Sequence, residues 1–478
     1  MTPSTAGKRR IVVVGGGISG LAAAYTLARA RGDGAPVEEF LVEAAPRLGG
    51  VIQSERFEGC VVEAGPDSFL TEKPEAAALA REVGLGDLLV GSNGRERRTY
   101  ILHHGRLEPL PDGLMLLVPT RVWPVVTSSL LPLSSKLAMA ADWFRRPRPN
   151  GAEDESVAEF VSRHFGRAML ENIADPLLAG VYGGDSARLS MRSVLARFWK
   201  MEREYGSLTR ATLKAMKQRR PENSGPKPPL FMTLKGGLTQ MIEKLAAQLD
   251  PPRVLLGRYV ETIERIPSEK GEPYSVRLNG GTTLDAEAVI LATPAHVAAR
   301  ILSELNATLA ARLAGIPYSS AMTVSMGFDA NQLTTLPPGF GFLVPSKERR
   351  RLLACTFVHR KFPENVEKEK GLLRCFLGGS RDPEVLGLGD REVVSLVRRE
   401  LREILGLTAE PLFTHLHRWP DSMAQYIVGH EAGLQAIQAE LAKLPGVFLA
   451  GNAYSGIGIS DCIRTGRAAA ESALKICT

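Results

Sequence analysis

Cysteine is scarce in this chain, and long apolar runs are almost missing. Only five cysteines occur in 478 residues, at positions 60, 355, 375, 462 and 477. Their number is odd, their spacing is wide, and no CxxC or Cys/His ligand spacing is present. This excludes a disulfide framework and a zinc site of the usual kinds, and a reduced, cytosolic compartment is expected. One stretch imitates a signal peptide or a membrane span: Lys8-Arg9-Arg10 followed by eighteen uncharged residues, Ile11 to Ala28. Three consecutive glycines interrupt it and no convincing cleavage site follows, so a strand, a tight turn and a helix account for it better. No other stretch is long and apolar enough to span a bilayer.

What is present is the composition of a globular protein, 44% apolar and 23% charged, with room for two or three domains. The net charge is +7. Basic residues cluster at Arg95, Arg97 and Arg98, at Arg145, Arg146 and Arg148, and at Arg349 to Arg351. No nucleic-acid-binding module accompanies them, so nucleic acid is not an expected partner. An anionic membrane surface, an acidic substrate and ordinary solvated faces all remain open.

Ile11–Val14 reads as a β-branched strand, Leu21–Ala30 as an alanine-rich helix and Phe40–Glu43 as a second strand, a unit of βαβ type. A helix is expected from about Glu72 to Val90. From Leu107 to Leu133, prolines 109, 111, 119, 124 and 132 forbid long regular elements. Helical periodicity returns from Val157 to Lys217, and Pro221–Pro229 reads as a linker. Strands are expected at Val254–Leu256, Tyr274–Leu278, Ala288–Ala292, Met322–Phe328, Leu352–Phe357, Leu372–Leu377 and Val447–Ala450. A helix is expected at Glu392–Leu405, and another from Gly458 onward. A mainly helical stretch thus interrupts an α/β plan, with the nucleotide-binding part assembled from separated segments.

Gly15-Gly16-Gly17-Ile18-Ser19-Gly20 supplies a GxGxxG pattern through Gly15, Gly17 and Gly20. The first glycine permits the turn, the second lets backbone approach a pyrophosphate, and the third lets helix pack on strand. The helix start presents free N–H groups to the phosphates. Glu43, 23 residues beyond Gly20, suits a carboxylate that accepts from ribose hydroxyls. Ala44-Ala45-Pro46-Arg47-Leu48-Gly49-Gly50 then adds a cationic fork and a glycine pair, an extension that simple nicotinamide folds lack. Gly65-Pro66, a turn at Leu291–Pro294, and a strand-ending Gly451-Asn452 complete the pattern. A helix starting near Ile457-Gly458-Ile459 would face the end of a flavin where negative charge develops on reduction. Together these favour FAD over NAD.

On these motifs the chain resembles the flavin amine-oxidase superfamily, and within it the protoporphyrinogen oxidases. The segments that carry the likeness are VEAGPDSFL (62–70), PLLAGVYGGDSARLSM (176–191), TLKGGLTQMI (233–242), GFGFLVP (339–345), RWPDSMAQYIVGH (418–430) and GNAYSGIGISDCIRTGR (451–467). They extend over nearly the whole chain. The resemblance implies a Rossmann-like FAD domain (1–92, 231–294 and 440–478), a mixed-sheet substrate domain (93–114 and 295–439) and an inserted helical, membrane-contacting domain (115–230). It places non-covalent FAD contacts on Gly15 to Gly20, Glu43, Ala44, Arg47, Gly49, Gly50, Gly65, Pro66, Asp67, Ser68, Val260, Trp419, Asn452, Ile457, Gly458 and Ile459. Substrate contacts fall on Phe340, Gly341, Leu343 and Phe376. Read without the resemblance, these four, like Val260 and Trp419, are ordinary core residues.

The family's propionate-pairing arginine aligns with Thr99, and Arg98 takes that role only after a one-residue shift. The implied activity is oxidation of protoporphyrinogen IX to protoporphyrin IX in three two-electron steps at the flavin, with O2 reduced to H2O2. Coproporphyrinogen III is the nearest alternative substrate, followed by an amine oxidase or carotenoid desaturase activity. A flavin-containing scaffold without turnover is the non-enzymatic alternative. The chemistry belongs to the cofactor, so no catalytic side chain is expected. Neither His103/His104 nor His415/His417 has metal-ligand company. Peripheral attachment to the cytoplasmic face of a membrane is expected, and the resemblance leaves a homodimer open.

Overall fold

The computed structural model describes residues 9–115, 118–147, 153–218, 228–266 and 273–477. Of the expected linker at 221–229 only positions 228 and 229 fall among them, and Arg148 falls outside.

Five short strands form a parallel sheet: β1 (Arg9–Val14), β2 (Val37–Glu43), β3 (Val254–Leu256), β4 (Ala288–Leu291) and β5 (Val447–Leu449), in the order β3-β2-β1-β4-β5. Alternation along β1 explains why the sheet is covered on both faces. Ile11 and Val13 pack towards helices α1 (Ile18–Gly32) and α2 (Ile459–Cys477), whereas Val12 and Val14 pack towards a three-stranded sheet of Val260–Arg265, Tyr274–Leu278 and Thr283–Ala286. Strands drawn from four distant parts of the chain therefore share one core.

A second, seven-stranded sheet runs in the order Phe413–Ala424, Tyr318–Asp329, Lys370–Gly378, Leu352–Phe357, Gly341–Leu343, Thr99–His103, Arg106–Pro109. All neighbours are antiparallel except Gly341–Leu343 with Thr99–His103. One face carries Met322, Val324, Met326, Leu373, Cys375, Leu377, Phe342 and Phe357, packed against helix Asp390–Leu405 through Val393, Leu396, Val397 and Leu401. On the other face Thr323 and Trp419 reach the Ala64 carbonyl, while Tyr318 and Ala424 at the strand ends pack into the core beside Val12 and Val14.

Between the strands lies a helical stretch whose core holds Phe160, Phe165, Met169, Ile173 and Phe198. Its Val157–Phe165 helix is capped by Ser156 and Glu159 in a reciprocal box. His164, fully buried, is wedged between Asp142 (2.6 Å from Nδ1) and Glu202 (3.1 Å from Nε2). No described helix is long and apolar enough to cross a membrane.

Two expectations are refined. The helix expected from Glu72 to Val90 spans only Glu75–Glu82, because Gly84 at φ +80° stops it. Leu89–Gly91 pairs instead with Phe231–Leu234. The proline-rich 107–133 stretch does break into short pieces, among them Arg106–Pro109 and Val122–Thr127.

Helices α1 and α2 cross in close contact, and the glycine loop packs as closely under α1. A Cβ at Gly466 would lie 2.1 Å from the Ser19 carbonyl oxygen, and one at Gly20 would lie 1.8 Å from that of Gly15. Gly466→Ala should therefore push the two helices apart and cost about 1–3 kcal/mol. Urea unfolding checks this; unchanged stability would show that the helices separate freely.

Candidate active site

The glycine loop joins β1 to α1 and is fixed on three sides. Gly15, at φ +105°, lies against Ala292 of the turn after β4, where a Cβ would approach its carbonyl oxygen to 2.7 Å. The Gly16 N–H donates to Glu43 Oε2 (2.5 Å), and the other carboxylate oxygen accepts from Ala45 N–H (2.7 Å). Gly49 N–H donates to Gly16 O (2.8 Å), and an added Cβ at Gly50 would lie 3.3 Å from Gly17 Cα. Gly17 itself has nothing within 4 Å of its Cβ position. It precedes the helix, and α1 carries no acid in its first turn and no side-chain cap. This is an open, backbone-lined anion cradle at a helix N-terminus, with Ile18, Ser19 and Gly20 as its first turn.

Arg47 was expected as a cationic fork for phosphate. Its guanidinium instead spans its own loop, donating to the carbonyls of Leu48, Gly50 and Ile52. A largely apolar groove of about 360 Å³ opens beside it, lined by Leu48, Ile52, Ile242 and Leu256 among others. Ala44, next to Glu43, is exposed. The side chain of Val260 is packed in the core below the three-stranded sheet.

The turn at Ala64–Ser68 is held by the seven-stranded sheet. Ala64 O accepts from Trp419 Nε1 (2.8 Å) and Thr323 Oγ1 (2.9 Å), and Gly65 O accepts from the Arg374 guanidinium. Asp67 pairs with Lys361 (3.0 Å) and more distantly with Arg374 (3.8 Å), and accepts from Ser68 Oγ (2.6 Å). Burial would raise the Asp67 pKa, but the two cations outweigh it and hold the carboxyl at about 2. Nearby Glu63 lacks such a partner. Burial lifts it to about 7, although it accepts from Leu238 N–H (2.8 Å) and Ser54 Oγ (2.7 Å).

On the far side, Asn452 Nδ2 donates to Ser422 O (2.9 Å), and Asn452 O accepts from Tyr426 (2.8 Å). Ile457 and Gly458 precede α2, which Ile459 opens. Asp461 in its first turn accepts from Gly458 N–H (3.3 Å) and Lys73 (2.6 Å), in keeping with a helix-start acid.

Register shows which substrate candidates come together. Gly341 opposes Thr356, Leu343 opposes Ala354, and Phe376 opposes both Ala354 and Thr323. These lie on the face shared with Trp419, His417 and Arg374, opposite the helix-covered core face. Phe340 is buried just before this strand, its N–H on Arg98 O (2.7 Å). Arg98 is exposed and is not brought to that face; Thr99, opposite Gly341, is. Thr323, Lys361, Arg374 and Lys73 carry no signal in the sequence. No short-range spacing marks them, since each reaches its partner across hundreds of residues.

The residues present fit a flavin dinucleotide. Besides the open cradle at Gly17, the Tyr454 hydroxyl and the Thr293 hydroxyl are buried beside this region without a hydrogen-bond partner. Among the described residues no His, Cys, Asp and Glu group is placed to hold a metal ion.

Fold and site thus define a dinucleotide-binding oxidoreductase. Residues 18–474 match the family described as flavin containing amine oxidoreductase. The coproporphyrinogen III oxidase of Bacillus subtilis is 36% identical over 98% of both chains. The chloroplastic protoporphyrinogen oxidase of Nicotiana tabacum is 30% identical over 95% of this chain and 83% of its own. A crystal structure assigned to protoporphyrinogen oxidase of Exiguobacterium sp. 255-15 superposes with a TM-score of 0.84 at 30% identity, covering 98% and 99% of the two chains. The chain belongs to the flavin containing amine oxidoreductases, in their porphyrinogen oxidase branch. Its cofactor is FAD.

Two outcomes follow. Gly17→Asp places a carboxylate in free space at the phosphate cradle, so the protein should fold yet retain FAD about tenfold less tightly or worse. Flavin absorbance per folded chain measures it, and full retention would move the phosphates elsewhere. Asp67→Asn leaves two buried cations short of a carboxylate and should cost about 3 kcal/mol at neutral pH. The Asp67 pKa is depressed on folding, so its contribution is present above pH 4 and fades towards pH 2. Wild type and variant should converge in stability over that window; a constant gap would contradict the ion pairing.

Proposed function

We propose that this chain oxidises coproporphyrinogen III to coproporphyrin III, with O2 as the acceptor and H2O2 as the product. Protoporphyrinogen IX, the substrate first expected from the sequence, is the second reading. The observation that carries the order is the 36% identity to the Bacillus subtilis coproporphyrinogen III oxidase, against 30% to the tobacco protoporphyrinogen oxidase. When bound, FAD supplies the two-electron acceptor, and three rounds remove six hydrogens from the macrocycle as three O2 become three H2O2.

The chain's residues orient and enclose. Leu343 and Phe376 offer flat apolar surface to a macrocycle, and Ala354, opposite both, keeps the face low between them. The Ala64–Ser68 turn, Trp419 and Asn452 border the same space. Arg98, exposed just before the Thr99 strand, stands outside that face, where only a substrate carboxylate projecting beyond the wall would reach it. Sheet membership supports a division into an FAD-binding domain (1–92, 231–294, 440–478), a substrate domain (93–114, 295–439) and a helical domain (115–230).

Peripheral attachment at the cytoplasmic membrane face belongs to the same proposal. Supporting it, the helical stretch exposes Trp123 (75%), Leu133 (71%), Leu137 (61%) and Phe144 (82%) to solvent. Phe144→Asp should reduce flotation with anionic liposomes. Indifference of the wild-type protein to lipid would remove this part.

The substrate test is anaerobic. Coproporphyrinogen III should bleach the yellow holoenzyme faster than protoporphyrinogen IX at equal concentration. The reverse order would restore the second reading, and no bleaching by either would overturn both.

A further inference from the structure

Beside the Ala64–Ser68 turn, cations outnumber the carboxylates that contact them. Arg374 is 2% exposed and Lys361 is 8% exposed, yet among the described residues only Asp67 is in ion-pair reach of both. Arg374 gives one nitrogen to Gly65 O, while its Nε is buried without a hydrogen-bond partner. Its guanidinium carbon lies 4.9 Å from the centroid of Phe376. Lys361 lies 4.7 Å from the Phe231 ring, so aromatic faces rather than water surround both cations. Glu63 is the remaining acid nearby, and its carboxylate is directed at Ser54 and Leu238 instead.

A buried cation with a spare donor carries an energetic cost that a further anion would relieve. We propose that Arg374 and Lys361 form a buried receptor for one delocalised organic anion, which arrives on the Phe376 face of the seven-stranded sheet. Two sources share this chemistry: the negative charge that the cofactor gains on reduction, and a carboxylate of the substrate. This rests on the porphyrinogen oxidase reading above and adds an electrostatic role for residues on which the sequence placed none.

The test uses FAD-loaded protein and two readouts besides turnover. One is the midpoint potential of the bound flavin, by equilibration with a reference dye. The other is the affinity of the oxidised holoenzyme for coproporphyrin III, by fluorescence quenching. Lys361→Met and Arg374→Gln each remove one cation, while at about pH 8.5, where Glu63 is ionised, Glu63→Gln removes negative charge and should move the same readout the opposite way. That reversal of sign separates electrostatics from mere loosening of the turn.

If the cofactor's charge is received, the cation variants lower the reduced-to-oxidised ratio at fixed potential about tenfold, which is about 30 mV for a two-electron couple. Porphyrin affinity then stays within about twofold. If a carboxylate is received, porphyrin binding weakens about tenfold and the potential holds. Lys361→Met keeps the test decisive should Arg374→Gln not fold. Flavin-loaded variants in which neither readout moves would overturn the proposal. A wild-type protein that takes up no FAD would instead sink the functional reading beneath it.

Discussion

Everything in this molecule turns on how one short turn, Ala64–Ser68, is held against the seven-stranded sheet. The turn follows strand Cys60–Glu63; the Ala64 N–H donates to Gln53 O, but the Ala64 and Gly65 carbonyls are held by side chains of the seven-stranded sheet. Two side chains share the Ala64 carbonyl, a guanidinium holds that of Gly65, and a lysine holds the Asp67 carboxylate. Backbone that lacks a ladder partner must be satisfied by side chains, and here those side chains all come from one face. The distance between the dinucleotide cradle and the Phe376 face is therefore set by buried polar contacts, not by a flexible linker.

That arrangement suits a site whose chemistry is carried by a flavin. A flavin enzyme needs orientation, exclusion of water and a controlled electrostatic field more than it needs proton-transfer side chains. The charged groups near the turn are buried and mutually constrained. Asp67 is held strongly ionised by its cations while Glu63, a few residues earlier, is pushed the other way by burial. Two carboxylates so close in sequence thus differ by environment alone. The titratable residues on which attention first falls, His415 and His417, form with Trp419 a ladder of nearly parallel rings along one strand, with ring planes 11° and 17° apart.

The parts legible in sequence are those written in short-range spacing. Gly15, Gly17 and Gly20 announce the cradle because the turn and the helix start need glycine at fixed intervals. The βαβ unit, the helix Asp390–Leu405 and the closing helix follow from periodicity. Arg374, Lys361 and Thr323 could not be read that way. Thr323 meets Ala64 across 259 residues, Arg374 meets Gly65 across 309, and Trp419 meets Ala64 across 355. Arg47 shows the converse limit. A cation in a glycine-rich loop reads as a phosphate ligand, yet five donors on a planar fork serve equally well to tie three carbonyls of that loop together. For Thr99 and Arg98, one residue of register decides which side chain faces the site, and only strand pairing supplies it.

Low-identity neighbours such as putrescine oxidase (18% identity, TM-score 0.69) share the framework but carry no argument about the substrate. What a tetrapyrrole requires is a broad flat wall beside the cofactor. The most direct test is a crystal structure of the holoenzyme with coproporphyrin III. The macrocycle should lie across Leu343 and Phe376, with the isoalloxazine against the Ala64–Ser68 turn. A macrocycle bound elsewhere, or a flavin seated away from that turn, would contradict this placement.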